Sequence, residues 1–197
     1  MDGTLLPGTT GMLEIAKILK QVEILHDFEN QYREKKLTPV QFAESIYLLW
    51  GSLEPETVKE AFIQAPKLAN IEMVLEKIAQ QGDVSCLITS APDFFANHFY
   101  DYGFDYIYAS QPFTLIDKQF TPERVLHAHD KPQIAKRLCS ELNIPFTSAI
   151  AFGDSHSDSA LFEELTHTVA VNGDQYIKDI ARHHYQGVDL LEAFSLL

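Results

Sequence analysis

Two carboxylates four residues apart, Asp154 and Asp158, stand in the run Gly153-Asp154-Ser155-His156-Ser157-Asp158, directly after an apolar stretch that ends at Phe152. At a strand-to-helix turn this pattern can hold one hard divalent cation. Such ions take oxygen ligands and keep several waters, so one direct carboxylate plus a second that orients waters or a neighbouring cation suffices. The same residue types also cap helices, because a short acidic or hydroxyl side chain accepts from the free N–H groups of a first turn. Three further places carry usable groups: Asp2-Gly3-Thr4 at the start, Thr89-Ser90 after a second apolar run, and Lys131 between Asp130 and Pro132. Taken singly, each has an ordinary explanation, and Lys131 reads most simply as a solvated lysine.

The elements that must position these groups follow from hydrophobic periodicity. Leu13, Ile15, Ala16, Ile18, Leu19 and Val22 recur at helical spacing over residues 13–25, and further helices are predicted over 39–50 and 55–65. From Ile71 the pattern becomes helix then strand, repeated: helix 71–82, strand 84–88, helix 94–102, strand 106–109, a hairpin over 114–120, helix 132–142, strand 148–152, helix 158–165 and strand 168–171. Alternation of this kind implies an α/β fold with a doubly wound, Rossmann-like parallel sheet covered by helices. The all-helical stretch 9–66 reads as an inserted cap, leaving 1–8 and 67–197 as the α/β core. In an open sheet of this type ligands bind beyond the carboxyl ends of the strands, which places chemistry just after Ile88 and Phe152.

Composition narrows the function classes. The chain has 197 residues, 46% of them hydrophobic and 11% aromatic, enough for a sizeable core and unlike disordered sequence. Fifteen basic against 28 acidic residues give a net charge of −13, a field that repels nucleic acid and anionic membrane surfaces. No apolar run approaches the length of a membrane-spanning helix, and no basic start or apolar leader segment is present, so a cytoplasmic protein is expected. A small phosphorylated partner remains compatible with the charge, since one metal ion and a few local cations can reverse the potential inside a cleft. Cys86 and Cys139 cannot form a disulfide framework and are expected to be buried, reduced thiols.

The order of the features is more specific than any one of them. Asp2-Gly3-Thr4-Leu5, Thr89 after a strand, Lys131 near a helix start, then Gly153-Asp154-Ser155 with Asp158, resemble the motifs of the haloacid dehalogenase superfamily of phosphatases. The resemblance spans nearly the whole chain and is nearest the phosphoserine-phosphatase-like subgroup, whose helical cap lies between the first and second motifs. Leu87-Ile88-Thr89-Ser90-Ala91-Pro92-Asp93-Phe94 is similar to the second motif. The segment from Phe152 to Phe162, with Val169-Ala170-Val171-Asn172, is similar to the fourth. The resemblance implies a Mg²⁺-dependent phosphatase acting on a small phosphomonoester through an aspartyl-phosphate. It makes Asp2 the general acid and base and, through its carbonyl, a metal ligand. Thr89 and Ser90 would bind phosphate, Lys131 would be the cation on the phosphoryl group, Asp154 a metal ligand and Asp158 its support. A single carboxyl group near phosphorus that first protonates the leaving alcohol and then deprotonates a water suits phosphomonoester hydrolysis.

The first motif of that family is Asp-x-Asp-Gly-Thr, and here Met1 occupies the x position, so the nucleophilic Asp would precede the chain, as would the first core strand. The expectation is therefore an inactive chain with a gap between two strand edges. An internal start within a longer enzyme is preferred to a shortened, non-catalytic phosphate-binding or regulatory relative. Thr9 stands where the subgroup places a substrate-binding glutamate, and Arg33 is the only arginine in the expected cap, which disfavours phosphoserine. Phe42, Tyr47 and Trp50 hint at a larger ester, although aromatics at helical spacing more often pack inward. The pairs His127/His129 and His183/His184 lack a convincing third ligand for zinc. A Gly-Asp-Ser esterase with Ser155 as nucleophile is a further alternative, weakened because Asp179 precedes His183 by four residues rather than three.

Overall fold

The computed structural model describes residues 1–51, 53–115 and 119–197. Four helices come first: α1 (Gly11–Leu19), α2 (Val22–Arg33), α3 (Pro39–Trp50) and α4 (Pro55–Gln64). The Thr10 hydroxyl accepts from the Leu13 N–H and starts α1. The single helix expected over 13–25 is in fact two, because Lys20 takes a left-handed conformation (φ 56°) and its N–H, with that of Gln21, closes on the last turn of α1. That break turns Leu25, fully buried, back into the core. Helix α2 has its own apolar period, Val22, Leu25 and Phe28, out of phase with that of α1, so a single helix ended at residue 25 takes in only its start. Thr38 and Gln41 form a reciprocal capping box on α3. At its far end Trp50 is buried, with Nε1 donating to Gln21 Oε1 at 2.7 Å. Helix α1 packs on α4 and α2, and α2 on α3.

The remainder alternates. Helix α5 (Ile71–Gln80) leads to β1 (Cys86–Pro92), then α6 (Asp93–Ala96), a 3₁₀ segment (Asn97–Tyr102) and β2 (Tyr106–Ser110). After α7 (Asp130–Glu141) come β3 (Ile150–Gly153), a 3₁₀ turn (His156–Asp158), α8 (Ser159–Phe162), β4 (His167–Val171), α9 (Gln175–Ile180), β5 (His183–Tyr185) and α10 (Leu190–Phe194). All strand pairs are parallel, in two sheets ordered β1-β2 and β3-β4-β5, with no ladder joining the sheets among the described residues. The α/β class is as expected. Helix 158–165 splits because Ser155 and Asp158 impose a tighter first turn. Strand β5 was not foreseen, since its residues His183, His184 and Tyr185 carry no apolar alternation. The hairpin expected over 114–120 falls in part on residues 116–118, outside the described residues.

The core runs continuously from the helical segment into the α/β part. Phe62 on α4 lies edge-on to Phe95 and Phe99, with ring centroids 5.4 and 5.0 Å away. Lys67, just beyond α4, donates to the Phe62 and Ala65 carbonyls and lies over the Phe62 ring. Both cysteines are free but half-buried rather than buried, because Cys86 opens β1 and Cys139 lies near the end of α7. Burial nonetheless pushes the Cys86 thiol up to about 12. No helix among the described residues is long and apolar enough to cross a membrane.

Leu25 is the one buried side chain of α2. Leu25→Ala is expected to cost about 2–5 kcal/mol, the usual range for emptying such a site, in urea denaturation followed by circular dichroism.

Candidate active site

The ends of β1 and β3, the N-terminal turn and the start of α7 enclose one cavity of about 420 Å³, and Asp2, Thr89, Ser90, Lys131, Asp154 and Asp158 all line it. Every site residue expected from the sequence is thus brought together. The turn at residues 1–6 is tied by the Leu5 and Leu6 N–H groups donating to the Met1 carbonyl at 2.8 and 3.1 Å. Gly3, at φ +70°, takes a left-handed conformation that a side chain disfavours. A Cβ there would also lie 2.1 Å from Asp154 Oδ2, so glycine is what lets the turn press onto the carboxylate. Next to it, Thr4 Oγ1 donates to Asp154 Oδ1 at 2.6 Å.

Each acid is held differently. Asp2 Oδ1 accepts from the Gly11 N–H at 2.9 Å, in the first turn of α1, and burial raises its carboxyl above the ordinary value. Burial pushes Asp154 up to about 6, against the Thr4 hydrogen bond. Burial would raise Asp158 as well, but Lys131, joined by the N-terminal ammonium and the Asp154 N–H, holds that carboxyl low: Lys131 Nζ donates to Asp158 Oδ1 at 2.7 Å. Asp158 Oδ2 accepts from the backbone N–H groups of Asp154 (3.0 Å) and Ser155 (3.3 Å). Helix capping and support of the site, separate readings of the sequence, are one arrangement here. Gly153 makes room for it, because a Cβ there would stand 2.6 Å from the Asp158 carboxyl carbon.

Lys131 is only 6% exposed, which overturns its reading as a solvated lysine. Its ammonium, on the second residue of α7, is drawn into the cavity by Asp158 and also donates to Ser157 Oγ at 3.3 Å. Thr89 is buried and its Oγ1 accepts from the Ala91 N–H at 3.1 Å, which leaves the hydroxyl proton to donate into the cavity. Ser90 beside it is exposed.

The oxygen set suits a hard cation. Among the described residues Asp154 Oδ2 has no hydrogen-bond partner and the Asp2 carbonyl accepts none from the backbone, so both can face a ligand. The described residues contain no group of three or more His, Cys, Asp or Glu side chains that could hold a metal ion. His127 and His129 stack with centroids 5.3 Å apart, and His129 lies 3.4 Å from Asp130, again without a third ligand. Ser155 Oγ meets Ser157 Oγ at 3.1 Å and its turn's own backbone, with no histidine bonded to it; His156 rests on Tyr176, and Asp179 takes the Gln175 amide. That arrangement lacks the serine-to-base contact of an esterase.

The aromatic hint fails as well. Tyr47 packs on Phe113 and Phe120, Phe42 on Tyr32, and Trp50 is buried, so none of the three lines the cavity. The wall is completed by residues not read as site residues in the sequence: Thr10, the N-cap of α1, Leu13 on α1 and Glu29 on α2. Glu29 follows Phe28 on α2, beyond the residue at which the expected helix ended.

The family model for haloacid dehalogenase-like hydrolases matches residues 1–163. Two phosphoserine phosphatase structures, one described as a phospho-aspartyl intermediate analogue and one as substrate-bound, each superpose with a TM-score of 0.81 at 21% identity, covering 100% of this chain and 95% of theirs. A HAD family hydrolase from Salmonella enterica subsp. enterica serovar Typhi superposes at 0.82 with 21% identity, over 98% of this chain and 68% of that one. At such identities these structures speak for the fold alone. No curated protein matches the chain. With the family match spanning the first two motifs, Lys131 and the Asp154–Asp158 turn, and with the fold shared along its whole length, the chain belongs to the haloacid dehalogenase-like hydrolases.

Proposed function

We propose that this hydrolase is a Mg²⁺-dependent phosphatase of small phosphomonoesters, with the 9–66 helices acting as a cap over the α/β core. One observation carries the reading: a buried lysine, a buried threonine hydroxyl and a partly unpaired carboxylate line one cavity beside strands β1 and β3, each from a parallel sheet. In this role Thr89 and Ser90 donate to the phosphoryl oxygens, and Lys131 balances their charge while Asp158 fixes its ammonium. Asp154 and the Asp2 carbonyl would hold Mg²⁺, which when bound neutralises charge on the phosphoryl group. The Asp2 carboxyl gives its proton to the departing alkoxide as the P–O bond breaks. It then takes one from the water that attacks phosphorus, releasing inorganic phosphate. The attacking carboxylate of the first step would come from the position two residues ahead of Asp2. The cap would exclude water during that step and admit it for the second.

The decisive experiment measures Mg²⁺-dependent hydrolysis of an aryl phosphate by the 197-residue chain and by a version extended upstream through a strand ending in Asp before Met1. Hydrolysis by the extended chain alone is the expected result. An extended chain that folds and binds phosphate with Mg²⁺ but never turns over would favour the alternative of a phosphate-binding module. In the extended chain, Asp2→Asn should lower kcat by about 10²–10⁴, the usual contribution of a positioned acid–base group, whereas a drop below threefold would remove Asp2 from that role. Gly153→Ala, which must push the Asp158 carboxyl aside, should cost about 10² in kcat by misplacing Lys131, with the chain still folded by circular dichroism.

A further inference from the structure

The cavity contains one acidic side chain for which the proposed reaction has no use. Among the described residues its wall holds four acidic side chains, Asp2, Glu29, Asp154 and Asp158, against one cationic side chain, Lys131, and the Met1 α-amino group beside Asp2. Asp158 is matched by Lys131, Asp154 accepts from Thr4, and Asp2 accepts from Gly11. Among the described residues the Glu29 side chain makes no hydrogen bond or close ion pair and feels only the more distant charges of His26, Arg33 and Asp2. It is half-buried on α2, on the helical side of the cavity with Thr10 and Leu13 rather than on the strand-end floor, and burial raises its carboxyl. His26 and Arg33, one turn to either side on the same helix, are exposed and do not line the cavity.

An unpaired, partly desolvated carboxylate is costly, and in a cavity that must admit a phosphate dianion it also repels the ligand. Both costs vanish if the ligand carries a positive charge at the end remote from its phosphate. We propose that Glu29 is the specificity determinant for the alcohol half of the substrate, and that it selects phosphate monoesters of amino alcohols. Leu13 beside it offers apolar surface to the short carbon chain between the two charges. With Lys131 committed to Asp158 and the phosphoryl group, and the Met1 α-amino group beside Asp2, the described residues give the wall no second cationic side chain for a carboxylate on that chain, so an amino-acid ester fits worse than the bare amino alcohol. The inference rests on the phosphatase reading for the placement of the phosphoryl group.

Isothermal titration of the 197-residue chain with Mg²⁺ present tests it without requiring turnover. The ligands are 2-aminoethyl phosphate, ethyl phosphate, phosphoserine and inorganic phosphate. The expected result is that 2-aminoethyl phosphate binds about tenfold tighter than ethyl phosphate, the scale of one partly screened charge pair, and also tighter than phosphoserine. In Glu29→Gln the ratio between the first two should fall to about one. Equal affinities in the unaltered chain, or a preference that survives Glu29→Gln, would overturn the role of Glu29 while leaving the phosphatase reading intact if inorganic phosphate still binds. Phosphoserine binding tightest would overturn the amino-alcohol class. If none of the four binds, the phosphoryl site itself is wrong and the inference falls with it.

Discussion

The buried ion pair between Lys131 and Asp158 is the constraint around which the site is organised. Two charges taken out of water gain stability only when their geometry is good and their remaining hydrogen-bonding capacity is filled. Here one Asp158 oxygen takes the ammonium at 2.7 Å and the other takes two backbone N–H groups of the turn after β3. The pair therefore welds the start of α7 to the end of β3. It sets the direction of the ammonium, and it fixes the conformation of the turn that carries Asp154. The absence of a side chain at Gly153 is a precondition, since any Cβ would occupy the space of the carboxyl group.

A second junction is built on the same logic at the N-terminal turn. Gly3 allows the backbone to lie against Asp154, Thr4 bonds that carboxylate, and the first turn of α1 supplies an N–H to Asp2. Acidic groups are thus concentrated where two strand ends, a turn and two helix starts converge, in a protein whose net charge is already −13. A site so charged is electrostatically incomplete on its own. It is suited to ligands that bring positive charge with them, as a divalent cation does in the proposed reaction.

How much of this was legible in the sequence depends on the kind of signal. Strands β1, β3 and β4 carry short apolar runs, and the polar residues that follow those runs, Thr89 within β1 and Asp154 and Asp158 beyond β3, line the cavity and could be read from pattern and position alone. Lys131 could not: periodicity makes it an exposed residue at a helix start, and only the ordered set of motifs marked it. Residues whose role is to be absent or to turn left, Lys20 between α1 and α2 and Gly153 under Asp158, have no periodic signature. Helix α2 was merged into α1 and cut short at residue 25, although Phe28 continues its apolar period after Val22 and Leu25, and Glu29 was left outside it. Tyr47 and Trp50 show the converse, being periodic aromatics that serve the packing of the helical segment and not the site. Strand β5 escaped because an edge strand of two histidines and a tyrosine has nothing to alternate.

The most direct test of the account is a crystal structure of the chain grown with Mn²⁺ in place of Mg²⁺ and soaked with inorganic phosphate, with the metal located by its anomalous signal. The account predicts one metal peak on the Asp154 carboxylate and a phosphate held between the Thr89 hydroxyl and the Lys131 ammonium, with the Lys131–Asp158 pair intact. A metal on the histidine pairs, or a phosphate outside this cavity while Lys131 keeps to Asp158 alone, would contradict it.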